Sequence, residues 1–140
     1  MKVAIVYYSG TGNTEQMAYS VMEGATEAGA EVSLFSVGEI SVNEALGYDS
    51  LILGCPAMGA ETLEEDQMEP FMSELEAGLG GKKVGLFGSY GWGDGEWMRN
   101  WEERILNCGG VLVTESVICN DAPDDEALEA CNNLGKELSK

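Results

Sequence analysis

The chain has 140 residues, of which 25 are acidic, seven basic and none histidine, giving a formal net charge of −18. Nonspecific nucleic-acid binding and attachment to anionic membranes need a basic face and are disfavoured, while the lack of histidine removes Ser-His-Asp and Cys-His catalysis and imidazole metal sites. With 44% apolar residues, the length suits one domain over residues 1–140 with a core of its own.

The N-terminal run Met1-Lys2-Val3-Ala4-Ile5-Val6 is apolar but lacks a signal-peptide layout, and it predicts the first strand, over Lys2–Tyr8. A helix follows, marked by Met17, Ala18, Val21, Met22 and Ala25 at steps of one, three and four residues. Glu31–Ser36 reads as the second strand, and Val37–Asp49 as a connection containing a short helix. Ser50–Cys55 is the third strand, followed by a helix with Met68, Phe71, Met72 and Leu75 on its buried face. Lys83–Phe87 is the fourth strand, and Trp97, Met98, Trp101, Ile105 and Leu106 mark the next helical stripe. Val111–Ile118 is the fifth strand, and Leu128, Cys131, Leu134 and Leu138 mark the last helix.

Continuously apolar stretches such as Leu51-Ile52-Leu53 suit strands covered on both faces. Repeated strand–helix alternation therefore predicts an α/β fold, a doubly wound three-layer sandwich with helices on both sides of a parallel sheet. No apolar run reaches the roughly 18 residues of a membrane span. The cysteines at 55, 108, 119 and 131 show no metal-ligand or CxxC spacing. They read as reduced, mostly buried thiols, which makes the cytoplasm the expected compartment.

In a parallel sheet of this kind, ligands sit beyond the carboxyl ends of the strands. Three loops fall there. Ser9-Gly10-Thr11-Gly12-Asn13-Thr14 lies directly between a strand and a helix. Its glycines permit close backbone approach, its side chains carry hydroxyl and amide donors, and the new helix adds unpaired N–H groups and a favourable dipole. This is a phosphate cradle made of neutral donors. It is neither Walker A, which needs Gly-Lys-Ser/Thr, nor the dinucleotide fingerprint, because Glu15 stands where the third glycine would be. A plain helix cap, with Asn13 as the cap and Gln16 reaching back, is the alternative.

The second loop is Cys55-Pro56-Ala57-Met58-Gly59-Ala60-Glu61. A type II′ turn suits Gly59 at its first central position, whereas type II would strain Ala60. The central peptide can thus turn to meet a ligand, and Glu61 can accept from ring N–H groups; an ordinary surface turn accounts for the segment equally well. The third loop, Ser89-Tyr90-Gly91-Trp92-Gly93-Asp94-Gly95, sets a tryptophan among three glycines. That arrangement suits a flat stacking surface better than a core residue. A phosphate site, a donor–acceptor edge and an aromatic plate on one rim describe a flat heterocycle with a phosphorylated tail. Flavin mononucleotide (FMN) meets all three demands.

The stretches Tyr7-Tyr8-Ser9-Gly10-Thr11-Gly12-Asn13-Thr14-Glu15, Leu53-Gly54-Cys55-Pro56-Ala57-Met58-Gly59 and Gly85-Leu86-Phe87-Gly88-Ser89-Tyr90-Gly91-Trp92-Gly93 carry a further reading. Through them the chain resembles the short-chain flavodoxins of the clostridial type, over essentially its whole length. The resemblance implies a five-stranded parallel sheet in the order 2-1-3-4-5 and noncovalently bound FMN. It implies a phosphate held by Ser9, Gly10, Thr11, Gly12, Asn13 and Thr14, and flavin faces covered by Met58 and Trp92. The Gly59 carbonyl would turn to flavin N5 on reduction, Glu61 would bind the N3 edge, and Gly91 and Gly93 would offer N–H groups to the pyrimidine oxygens. Pro56, Ala57, Ala60, Ser89 and Tyr90 complete the implied site, with no catalytic residue and no metal. Ala60 departs from relatives that carry an acidic or hydroxyl residue there. Cys55 is expected to pack beneath the turn.

The implied function is a low-potential one-electron carrier, cycling between semiquinone and hydroquinone beside or in place of ferredoxin. The alternative is an FMN-dependent NAD(P)H or quinone reductase on the same fold. A phosphate-responsive receiver module needs acids after its first strand, where this chain has Tyr7-Tyr8-Ser9. A monomer is expected, meeting redox partners through their basic docking faces. Acids at 61, 64, 65, 66 and 69, and at 121, 124, 125, 126 and 129, follow strands near the expected flavin end. There they would oppose added negative charge on the flavin and steer partners.

Overall fold

Val3, Ala4, Ile5 and Val6 are fully buried, as are Leu51, Ile52 and Leu53, because the two strands that carry them occupy the middle of a covered sheet. The computed structural model describes residues 1–140. Its order is β1 (Lys2–Tyr7), α1 (Asn13–Glu27), β2 (Glu31–Ser36), α2 (Val42–Leu46), β3 (Ser50–Gly54), α3 (Met68–Leu75), β4 (Lys83–Tyr90), α4 (Glu96–Asn107), β5 (Val111–Leu112), β6 (Val117–Asn120) and α5 (Asp125–Leu138). A single 3₁₀ turn, Val37–Glu39, precedes α2. The strands pair in the order β2-β1-β3-β4-β5, all parallel, with Ile5 facing Leu34 on one side and Ile52 on the other. This is the expected flavodoxin-like sheet.

Alternation along the strands divides the core in two. Ala4, Val6, Leu51, Leu53, Val84 and Leu86 pack with side chains of α2, α3 and α4. Val3, Ile5, Ile52 and Phe87 pack on α1 and α5. On the second face, α1 and α5 approach through glycines. A Cβ at Gly24 would run into the Asn132 carbonyl, and one at Gly135 into the Val21 carbonyl.

The fifth strand differs from the single run expected over Val111–Ile118. It is interrupted: β5 pairs with Lys83–Val84 at one end of β4, and β6 with Phe87–Tyr90 at the other. Between them, Ser116 Oγ donates to Glu102 Oε2 at 2.7 Å. An edge strand answers to one neighbour only, so a local side-chain bond can draw it off the ladder. Leu106 also departs from its expected place in the core and is 56% exposed, since the buried stripe of α4 ends at Ile105.

Candidate functional site

At the carboxyl edge of the sheet, β1 hands over to the first loop. Ser9 Oγ accepts from the Gly12 and Glu15 backbone N–H groups, both at 3.2 Å. Gly12, at φ +97°, caps α1 without any side-chain cap bond, and Asn13 is the first helical residue. The cap alternative built on Asn13 and Gln16 is therefore not what forms; Gln16 donates its backbone N–H to the Gly12 carbonyl. The N–H groups of Gly10, Thr11, Asn13 and Thr14 find no acceptor in the protein. Thr14 itself turns inward. Its hydroxyl is buried 3.2 Å from Ser89 Oγ, which ties the first loop to the third.

The second loop runs beside β4, with Cys55 N–H donating to the Phe87 carbonyl and Ala57 N–H to the Ser89 carbonyl. Glu61 N–H closes a turn onto the Met58 carbonyl at 2.8 Å, and Met58 N–H donates to the Thr62 carbonyl at 3.0 Å. Neither Gly59 nor Ala60 has positive φ; the left-handed residue is Glu61, at φ +52°. The turn is thus neither II′ nor II. It is a negative-φ turn followed by one left-handed residue, a common three-residue hairpin closure. The unusual backbone falls on Glu61 rather than Ala60. The Glu61 carboxylate lies over Gly93, in the space a side chain there would fill, and its buried Oε1 has no partner.

In the third loop, Gly93 and Gly95 take positive φ, and Trp92 stands 62% exposed. Arg99 braces this loop, donating to the Asp94 carbonyl and to Asp94 Oδ1, each at 3.0 Å. Behind it, Trp97 Nε1 donates to the Cys55 carbonyl at 3.1 Å, so the second and third loops share one buried anchor. The Gly91 and Gly93 N–H groups have no acceptor in the protein.

The loops enclose a cavity of about 250 Å³ whose walls include Gly10, Thr11, Asn13, Pro56, Ala57, Met58, Ser89, Tyr90 and Gly91. Nine of the predicted residues thus meet. Ser9, Gly12 and Thr14 stand behind the wall as its supports. Gly59 and Ala60 line an adjoining depression beyond Met58. Glu61 lines a separate cavity toward α4, and neither Trp92 nor Gly93 lines the main cavity. Tyr8 and Asp121 line it as well; from the sequence, Tyr8 stands only within the first motif and Asp121 only among the acids near this edge, neither as a cofactor-binding residue. Asp121 follows β6 at the same edge of the sheet, with φ +57° and its N–H donated to the Tyr90 carbonyl at 2.7 Å. Its signal was an Asn-Asp pair, tolerant of left-handed backbone, just past the last strand.

Two of the acids near this edge, Glu64 and Glu69, have structural partners. Glu64, only 5% exposed, accepts from the backbone N–H groups of Asp66, Gln67 and Met68 at 2.7, 2.8 and 3.0 Å. Burial alone would raise its pKa, but these three bonds outweigh it and hold the carboxyl below its usual range. Glu69 and Glu76 share Arg104, at 2.6 and 2.8 Å. Hydrogen bonding from Arg104 lowers both carboxyls. Cys55 is buried beneath the turn, accepting from Glu64 N–H at 3.5 Å, and burial pushes its thiol up to about 12.

A family profile described as Flavodoxin matches residues 5–135. The chain belongs to the flavodoxin family. It is 50% identical to a flavodoxin from Clostridium beijerinckii over 135 residues, 96% of this chain and 97% of that one. It is 44% identical to a flavodoxin from Megasphaera elsdenii over 138 residues, 99% and 98% of the two chains. The solution structure of two-electron reduced Megasphaera elsdenii flavodoxin superposes with a TM-score of 0.90 at 46% identity, covering 98% of each chain. Flavodoxins are small FMN-binding electron carriers without substrate turnover of their own, and the reductase alternative is not favoured. No helix is long and apolar enough to cross a membrane.

Proposed function

We propose that this chain carries electrons one at a time on FMN held in the 250 Å³ cavity and along its Met58 and Trp92 rims. The observation that carries this reading is the set of four free backbone N–H groups, at Gly10, Thr11, Asn13 and Thr14, around a helix N-terminus with no basic side chain in the loop. Such a set suits a phosphate oxygen. The remaining donors and acceptors fit the same group. Free N–H groups at Gly91 and Gly93 suit ring carbonyls, and the Glu61 carboxylate beside Gly93 suits a ring N–H.

When bound, FMN supplies reversible uptake of single electrons. The chain's part is positional. Ser9 holds the first loop so that its other amides stay free, and the Thr14–Ser89 contact fixes that loop against the third. Met58 and the exposed Trp92 offer surfaces for the two ring faces, and Gly59 carries a carbonyl in a turn without left-handed strain of its own. The 25 acids against seven bases disfavour added negative charge at the site. One unit charge ~10 Å away in water contributes roughly 0.4 kcal/mol, so the effect is collective.

The same charge supports a transient encounter with basic faces of redox partners by a monomer, and four free cysteines accord with a reducing cytoplasm. Reconstitution with FMN followed by redox titration tests the reading: tight binding and two well-separated one-electron steps are expected. Failure to retain FMN, or steady NAD(P)H oxidation by the protein alone, would overturn it. Rates of partner reduction that stay flat between low and high salt would remove the steering role.

A further inference from the structure

A second cavity, of about 150 Å³, opens between the second loop and α4. Glu61, Thr62, Glu69, Asn100, Trp101 and Arg104 are among its walls. Two buried side-chain atoms in the protein lack any hydrogen-bond partner, Glu61 Oε1 and Trp101 Nε1, and both residues line this cavity. Trp101 is only 1% exposed. One orphan is an acceptor and the other a donor. Glu69 and Arg104, on the same wall, already satisfy each other at 2.6 and 2.8 Å.

Leaving a buried polar atom unmet costs about 1–3 kcal/mol, so two such atoms on one cavity call for a common solution. A water molecule accepts from one and donates to the other. It occupies about 30 Å³ and needs two to four polar partners, and the cavity offers more than that in both respects.

We infer that ordered water in this cavity bridges Trp101 Nε1 to the Glu61 carboxylate and makes Trp101 a positioning residue for the flavin edge. Glu61 sits at a left-handed backbone position with its carboxylate over Gly93, and direct bonds from the protein do not hold Oε1. The bridge fixes the carboxylate from behind while its outer face is offered to a ring N–H. This inference rests on the reading of Glu61 as the acceptor for that ring edge.

The test combines two readouts on the full chain. In the FMN-bound protein, the Trp101 indole proton should show magnetisation exchange with long-lived bound water by NMR. In FMN fluorescence titrations, Trp101→Phe should weaken binding about three- to tenfold, the loss of one hydrogen bond. In a Glu61→Ala background the same change should cost measurably less, because the two residues act through one bridge. Unchanged FMN affinity in Glu61→Ala alone overturns the reading of Glu61, and the positioning role with it. Additive effects, or an indole proton without contact to bound water, overturn the bridge and leave that reading standing. The NMR measurement on the unsubstituted protein decides the matter even where Trp101→Phe folds poorly.

Discussion

The hydroxyls of Thr14 and Ser89 meet in the interior at 3.2 Å, across a separation of 75 residues, and Ser89 N–H also reaches Thr14 Oγ1 at 3.4 Å. Together they link the start of α1 to the end of β4. Thr14→Val keeps the shape and removes the hydroxyl, leaving Ser89 without its partner. Stability should fall by about 1–2 kcal/mol in urea unfolding of the FMN-free protein. Adding Ser89→Ala should cost less in the Thr14→Val background than alone, because the two groups share one interaction.

The glycines of the helix pair bear on stability in a different way. Gly135→Ala would force a methyl group into the Val21 backbone of α1, where no flexible side chain can give way. A loss of about 1–3 kcal/mol is expected. Gly59→Ala provides the contrast: nothing lies within 4 Å of its added Cβ and φ is not positive there. Its effect on unfolding of the FMN-free protein should stay within about 0.5 kcal/mol.

Burial makes a third test possible at the cysteines. Cys55 and Cys131 are wholly buried, and burial raises both thiols to about 12. Since only the thiolate is nucleophilic, neither should react with iodoacetamide at pH 8 while the chain is folded. Mass spectrometry should find label first at the half-buried Cys108 and Cys119. Early label at Cys55 would mean that the turn above it opens in the native state.

The strands were legible because the sheet covers both faces of each inner strand, which writes a continuous apolar run such as Val3-Ala4-Ile5-Val6. The edge strand carries no such imprint, so its interruption before Val117 could not be read from Val111–Ile118. At the site, loop positions next to strand ends were legible from glycine spacing. The turn geometry was not: a positive φ on Glu61 depends on the hydrogen bonds between Met58 and Thr62, and nothing in a glutamate signals it. Glu64 likewise read only as one of the acids near the flavin end, because its contacts with the Asp66, Gln67 and Met68 N–H groups arise only when the chain folds back over Cys55.

That cap sets a pH dependence of definite sign. The folded Glu64 carboxyl titrates below its unfolded value of about 4.3, so folding favours the ionised form. Its contribution is complete above that value and is lost as pH falls through the lower, folded one. Glu64→Gln replaces two accepting oxygens by one and should cost about 0.5–2 kcal/mol, as losing a helix cap does. The gap between the two proteins in urea unfolding should be constant from pH 8 to pH 5, then narrow as the pH drops below about 4. Parallel curves down to pH 3 would mean that the three backbone N–H groups of Asp66, Gln67 and Met68 do not depend on the charge of Glu64.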